Sequence, residues 1–147
     1  MKNDMVDFLD CKLEGLELFK NPQYTDLLGK PFVLGGRGPT NYDCWGICLE
    51  IGQRVGIHYP LSFTPDDTEH QDKAIQETRD QDFIRLDKPE SFCIVTFKIT
   101  PPFIDHCGIV MQNCIQFIHI MRNHSVALQR LDNKILAPRI EGFYRLR

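Results

Sequence analysis

A thiol and an imidazole brought together can break an amide, and this chain carries both in suggestive places. Cys44 opens the segment Cys44-Trp45-Gly46-Ile47-Cys48, while His106 and His119 stand in two apolar runs near the end of the chain. A cysteine attacks as its thiolate, so it needs a base to take its proton and a third group to hold that base in place. His106 and His119 can supply both roles. A thiol at a helix N-terminus also gains from the unpaired N–H groups there, which favour its anion.

The elements that must position these residues can be read from periodicity. Trp45, Cys48, Ile51, Gly52 and Val55 fall on one helical stripe, which predicts a helix from Cys44 to Val55 with Gly56 ending it. Thr40, Asn41 and Asp43 are the candidate N-caps. Upstream, Leu34-Gly35-Gly36-Arg37-Gly38-Pro39 is too rich in glycine and proline for regular structure and reads as a structured loop suited to close backbone approach. The segments 106–111 and 114–120 read as strands of a hairpin. With Gln112-Asn113 as a two-residue turn, Met111 pairs with Cys114 and His106 lies directly opposite His119 on one face. A loop with an odd number of residues would place the two rings on opposite faces.

Each of these residues has a structural reading as well. A cysteine in an apolar helix is commonly core, and two histidines on a hairpin can be a simple cross-strand pair. Cys44 and Cys48, spaced i,i+4, could join two histidines around zinc, although the spacing is not C-x-x-C and Cys48 should face the core. His58 and His70 read as surface residues, and His124 competes with His119 for the orienting role. Cys93, Cys107 and Cys114 read as core, with Cys107 pointing away from the face that carries His106.

The rest of the chain fits one α+β domain spanning 1–147. The spacing of Met5, Phe8, Leu9, Leu13, Leu16 and Phe19 predicts a short helix within residues 4–20. Ser91–Thr100 is a nearly continuous apolar run stopped by Pro101-Pro102, which predicts a central strand, and Ser125–Leu131 reads as a further strand. Helices therefore come first, then an antiparallel meander. Residues 66–81 are strongly polar, with Ala74 and Ile75 the apolar members of a short helix, and read as an exposed excursion with little part in the core.

Composition narrows the function. The 147 residues are 42% hydrophobic and 25% charged, ordinary for a globular domain, and the formal net charge of −3 offers no positive field for nucleic acid or an anionic membrane. The start, MKNDMVDFLDCK, lacks the charged head and apolar run of a secretory signal, and no stretch approaches 18 apolar residues. The expectation is synthesis in the cytoplasm without membrane insertion. Most of the six cysteines read as small buried hydrophobes rather than disulfide partners.

Three blocks of the chain resemble a known family, the NlpC-type papain-fold cell-wall peptidases, and in particular their phage and prophage tail branch. Gly29–Pro39 with Tyr42-Asp43-Cys44-Trp45-Gly46 resembles the segment that leads into the family nucleophile. His106-Cys107-Gly108-Ile109-Val110 with Phe117-Ile118-His119 resembles its histidine hairpin, and Ile140-Glu141-Gly142-Phe143-Tyr144-Arg145 resembles the end of tail-associated members. The resemblance implies a papain-like fold, with N-terminal helices and the nucleophile at a helix N-terminus packed on an antiparallel sheet. It implies Cys44 as nucleophile, His106 as base and His119 as orienting group, with Tyr42, Asp43 and Trp45 binding substrate. Implied further are cleavage of peptidoglycan stem peptides at the γ-D-glutamyl to diamino-acid bond, no metal or other cofactor, and delivery by phage tail proteins. Phe32, Trp45 and Glu90-Ser91 depart from the commoner family residues: Tyr, Ser and Gly-Asp. Two other readings keep the same fold: a non-catalytic tail-assembly protein, and a thiol amidase or acyltransferase acting on another amide.

Overall fold

The computed structural model describes residues 24–62 and 64–147; the helix expected within 4–20 lies outside these residues. Helix α1 runs Cys44–Arg54, with Ile47, Cys48, Ile51 and Gly52 buried along one face. Of the three candidate caps, Asp43 is the one used, its carboxylate accepting from the N–H of Gly46. Helix α2, Thr68–Asp82, begins at the N-cap Asp67 and contains no fully buried residue.

Six strands form one antiparallel sheet: β1 Phe83–Leu86, β2 Ile94–Phe97, β3 His106–Val110, β4 Gln116–His119, β5 Ala127–Arg130 and β6 Ile140–Leu146. Their order is β1-β6-β2-β3-β4-β5. The fold is α+β as expected, and the meander holds for β2 to β5. The chain's end departs from it: β6 returns to lie between β1 and β2, so neither of those two strands pairs with the other. The sequence reading missed β1 and β6 because both mix charged residues into short runs, and Phe83, Gly142 and Tyr144 are buried only through the sheet they join.

All four residues of β2 are buried, as a central strand covered on both faces requires. On one face, α1 packs with Ile94, Ile109, Ile118 and Tyr144; on the other, Val95, Phe97, Val110 and Phe117 pack with Leu136. The strand starts three residues later than its apolar run because Phe92 adopts φ 61°, a left-handed conformation that no strand residue takes.

The β3–β4 turn also differs from expectation. Val110 pairs with Phe117 and Ile109 with Ile118, so residues 112–115 form the loop and the register moves by two. Asn113 explains the longer loop, since its side-chain oxygen accepts from the N–H groups of both Ile115 and Gln116. Continuing this register sets His119 opposite Gly108 and places His106 diagonally from it. A shift of two preserves the face, so the histidines remain neighbours.

Candidate active site

The glycine-rich segment and the head of α1 fit together through backbone. A Cβ on Gly46 would come within 2.1 Å of the Gly36 carbonyl oxygen, so this approach exists only because position 46 has no side chain. Asp43 fastens the same junction: its carboxylate accepts from the N–H of Gly35 at 2.9 Å and of Gly46 at 2.7 Å, and pairs with Arg37 at 2.6 Å. Arg37 also donates to the carbonyl of Ser62, and the Trp45 indole donates to that of Pro60, at 2.9 Å. The residues following α1 are thereby tied to the head of that helix.

Cys44 is half-buried and is the first residue of α1. Its thiol lies beside Cys107 and His106, consecutive residues at the start of β3 that both bear on its proton affinity. Across the sheet face, His106 Nε2 lies 2.9 Å from His119 Nδ1. Both rings are buried beside Phe97, whose ring centre is 5.3 Å from that of His106, and Phe117 lies 4.8 Å from His119. The absence of a Cβ at Gly108 makes room for this: a methyl there would come within 3.1 Å of the His119 Cβ and 2.9 Å of the Ile118 carbonyl oxygen.

This environment sets the protonation states. The hydrogen bond with Cys107, together with burial, holds the Cys44 thiol well above its ordinary range, against a downward pull from His106. The favourable helix N-terminus therefore does not make Cys44 a resting thiolate. Burial pushes His106 below the usual imidazole value, although Cys44 acts in the opposite direction. Burial, with a smaller contribution from His124, brings His119 down to about 4. All three groups are consequently neutral near pH 7.

Of the residues expected to bind substrate, Trp45 lines the cleft beside Cys44, whereas Tyr42 and Asp43 are buried with their polar atoms held inside the protein. The Tyr42 hydroxyl donates to Glu50 at 3.3 Å. His58, His70 and His124 are exposed. Cys48 and Cys93 are buried free thiols, and Cys114 sits half-buried in the β3–β4 turn. Cys107 belongs to the cluster on the α1 face, away from the aromatic group around the histidines, and so comes to line the cleft with Cys44. Among the described residues, no three His, Cys, Asp or Glu side chains are arranged to hold a metal ion, and no helix is long and apolar enough to cross a membrane.

The cleft runs from Cys44 and Trp45 to a wall formed by α2. The sequence reading left this wall out, since residues 66–81 looked like an excursion. The spacing of Gln71, Ala74, Ile75 and Thr78 was the available signal: positions i, i+3, i+4 and i+7 are one helical face, and that face borders the cleft.

Comparison with known proteins agrees with this geometry. The sequence pattern of the NlpC/P60 family matches residues 29–145, which include the Cys44 junction and the histidine hairpin. The chain belongs to the NlpC/P60 family. NlpC/P60 proteins are usually cysteine peptidases or amidases. No curated protein matches the chain. Among solved structures, it is similar to a lipoprotein-like NLP/P60 family protein from Staphylococcus aureus, with TM-score 0.58 and 18% identity over 92% of this chain and 42% of that one. It is likewise similar to NlpC1 from Trichomonas vaginalis, with TM-score 0.57 and 22% identity over 90% of this chain and 45% of that one. An NlpC/P60 family protein from Bacillus cereus gives TM-score 0.57 and 20% identity over 84% and 40% of the two chains. These likenesses establish the papain-like fold, and this NlpC/P60 chain spans less than half the length of each of those proteins.

Proposed function

We propose that this NlpC/P60 protein is a cysteine peptidase that hydrolyses peptidoglycan stem peptides at the γ-D-glutamyl to diamino-acid bond, as a phage or prophage tail component. The observation that carries the reading is the adjacency of the Cys44 thiol, at the head of α1, to the His106–His119 pair. The tail association rests on Trp45 after the nucleophile and on the resemblance of the Ile140–Arg145 segment to tail-associated members, and phage tail proteins are the partners it implies.

The chemistry follows from the hydrogen bonds. His106 Nε2 is engaged by His119, which leaves Nδ1 to accept the thiol proton. Nε2 of His106 then carries a proton and donates it to Nδ1 of His119, a buried neutral imidazole well suited to accept. As sulfur attacks the carbonyl carbon, the proton passes to His106, and the backbone N–H of Cys44 helps hold the developing oxyanion. His106 returns that proton to the departing amine. Water, activated by the same imidazole, releases the acyl group and restores the thiol. Tyr42 and Asp43 serve this site by shaping the head of α1, and Trp45 meets the substrate from the cleft.

Purified protein incubated with defined stem peptides should give two fragments, and mass spectrometry identifies the bond. Cys44→Ala and His106→Ala should give none while keeping the wild-type circular dichroism spectrum. Full activity in either variant refutes the assignment.

A further inference from the structure

Helix α2 is unusual in what it leaves undone. It has fifteen residues and no fully buried one, so the core does not account for its presence. Its half-buried face, Gln71, Ala74, Ile75, Thr78 and Arg79, borders the cleft that holds Cys44. Opposite lie Trp45, Phe83, Ile94 and Tyr144. The helix is fixed in this position from both ends: Asp72 accepts from the N–H of Ile104 at 2.8 Å, and Arg79 stacks over the Tyr144 ring at 5.8 Å.

The charges of the cleft are already matched within the protein. Arg79 pairs with Asp80 at 3.0 Å and lies 3.7 Å from Glu141. Asp105 accepts from the N–H groups of Ile99 and Thr100. Glu141, near Arg79, takes the Thr96 and Tyr144 hydroxyls and Arg85. A ligand entering between α2 and Trp45 thus meets mainly apolar surface, with Arg79 and Asp105 already engaged within the protein. A charged group placed there would exchange water for little in return, which is costly.

We propose that α2 is the specificity wall of this cleft and that the cleft receives an uncharged substituent beside the scissile amide, an alkyl or amidated group in place of a free carboxylate. This rests on the peptidase reading of Cys44 and adds which stem peptides it would accept. Continuity of the apolar lining with the Cys44 thiol places that substituent next to the bond attacked.

The test uses matched stem peptides that differ only in having one carboxylate free or amidated, with iodoacetamide labelling of Cys44 as a second readout. The wild-type protein should cleave the amidated peptide at least tenfold more efficiently by kcat/KM, and that peptide should slow labelling more strongly. Ile75→Arg places a cation in the apolar lining at a half-buried helical position and should reverse the preference, with labelling read as the ratio with and without peptide in each protein so that any change in the thiol itself is divided out. Equal handling of both peptides by the wild type, or an unchanged ratio in Ile75→Arg, overturns the proposal. Protection of Cys44 by the amidated peptide without cleavage sustains the wall and refutes the peptidase reading, whereas protection by neither peptide overturns the wall.

Discussion

His119 Nδ1 stands 2.9 Å from His106 Nε2 although the two residues are diagonal, not opposite, in the β3–β4 ladder, and Gly108, opposite His119, has no Cβ to crowd the His119 side chain. Two neutral rings in one hydrogen bond couple their tautomers, since one nitrogen must donate and the other accept. That relationship, with the protonated Cys44 beside it, governs how the protein should respond to acid, base and substitution.

The pH profile separates two mechanisms. A resting thiolate–imidazolium pair requires a thiol far below its ordinary value and an imidazole above its own. Here the hydrogen bond with Cys107 and burial raise Cys44, while burial lowers His106. The reactive form is then the neutral pair, so kcat/KM should rise with a midpoint below 6.5 and stay level up to pH 9. A narrow bell with a basic limb near pH 8 would contradict this assignment.

His119 should also limit acid stability. Its folded value of about 4 lies below its ordinary 6.5, so the unfolded chain binds a proton more readily between those pH values. The stabilisation is fully present above pH 6.5 and is lost as pH falls through about 4, a decline of about 3 kcal/mol. Urea unfolding at pH 7 and pH 4 should show that His119→Gln loses less stability across this interval than the wild type. An identical decline in both proteins would show that His119 is not the group responsible.

Cys107 should tune the nucleophile. Its hydrogen bond is the largest influence raising the Cys44 thiol. Cys107→Val removes it at nearly constant volume, so the midpoint for iodoacetamide labelling of Cys44 should move to lower pH. No movement, or movement upward, would assign the raised thiol to burial alone.

Asp43 should matter for the junction more than its surface suggests. The fully buried carboxylate caps α1, accepts from Gly35 and pairs with Arg37. Asp43→Ala should cost about 2–4 kcal/mol in urea unfolding, combining a lost cap with unmet N–H groups and an unpaired guanidinium. A loss within the few tenths typical of a surface substitution would mean that Arg37 and the glycine loop hold the junction without it.

Much of the site was legible before any coordinates. Cys44 at the head of an apolar helical stripe, and two histidines on one face of a hairpin, follow from local periodicity, which backbone geometry imposes on neighbouring residues. The close approach of Gly36 to α1 was legible too, because a run of glycines marks backbone that must pass near something. The turn was less so. Gln112-Asn113 suggested a tight connection, but Asn113 caps a longer one, and the histidine pair survived because the register moved by an even step.

The sequence by itself determined the α+β class, the helix that presents Cys44 and the shared face of His106 and His119, since each depends on contacts within a few residues or on strand parity. Tertiary structure alone decided that β6 enters between β1 and β2 and that Cys107 comes to lie beside the Cys44 thiol. These depend on which distant surfaces meet, and burial among residues far apart in sequence leaves no mark in local spacing.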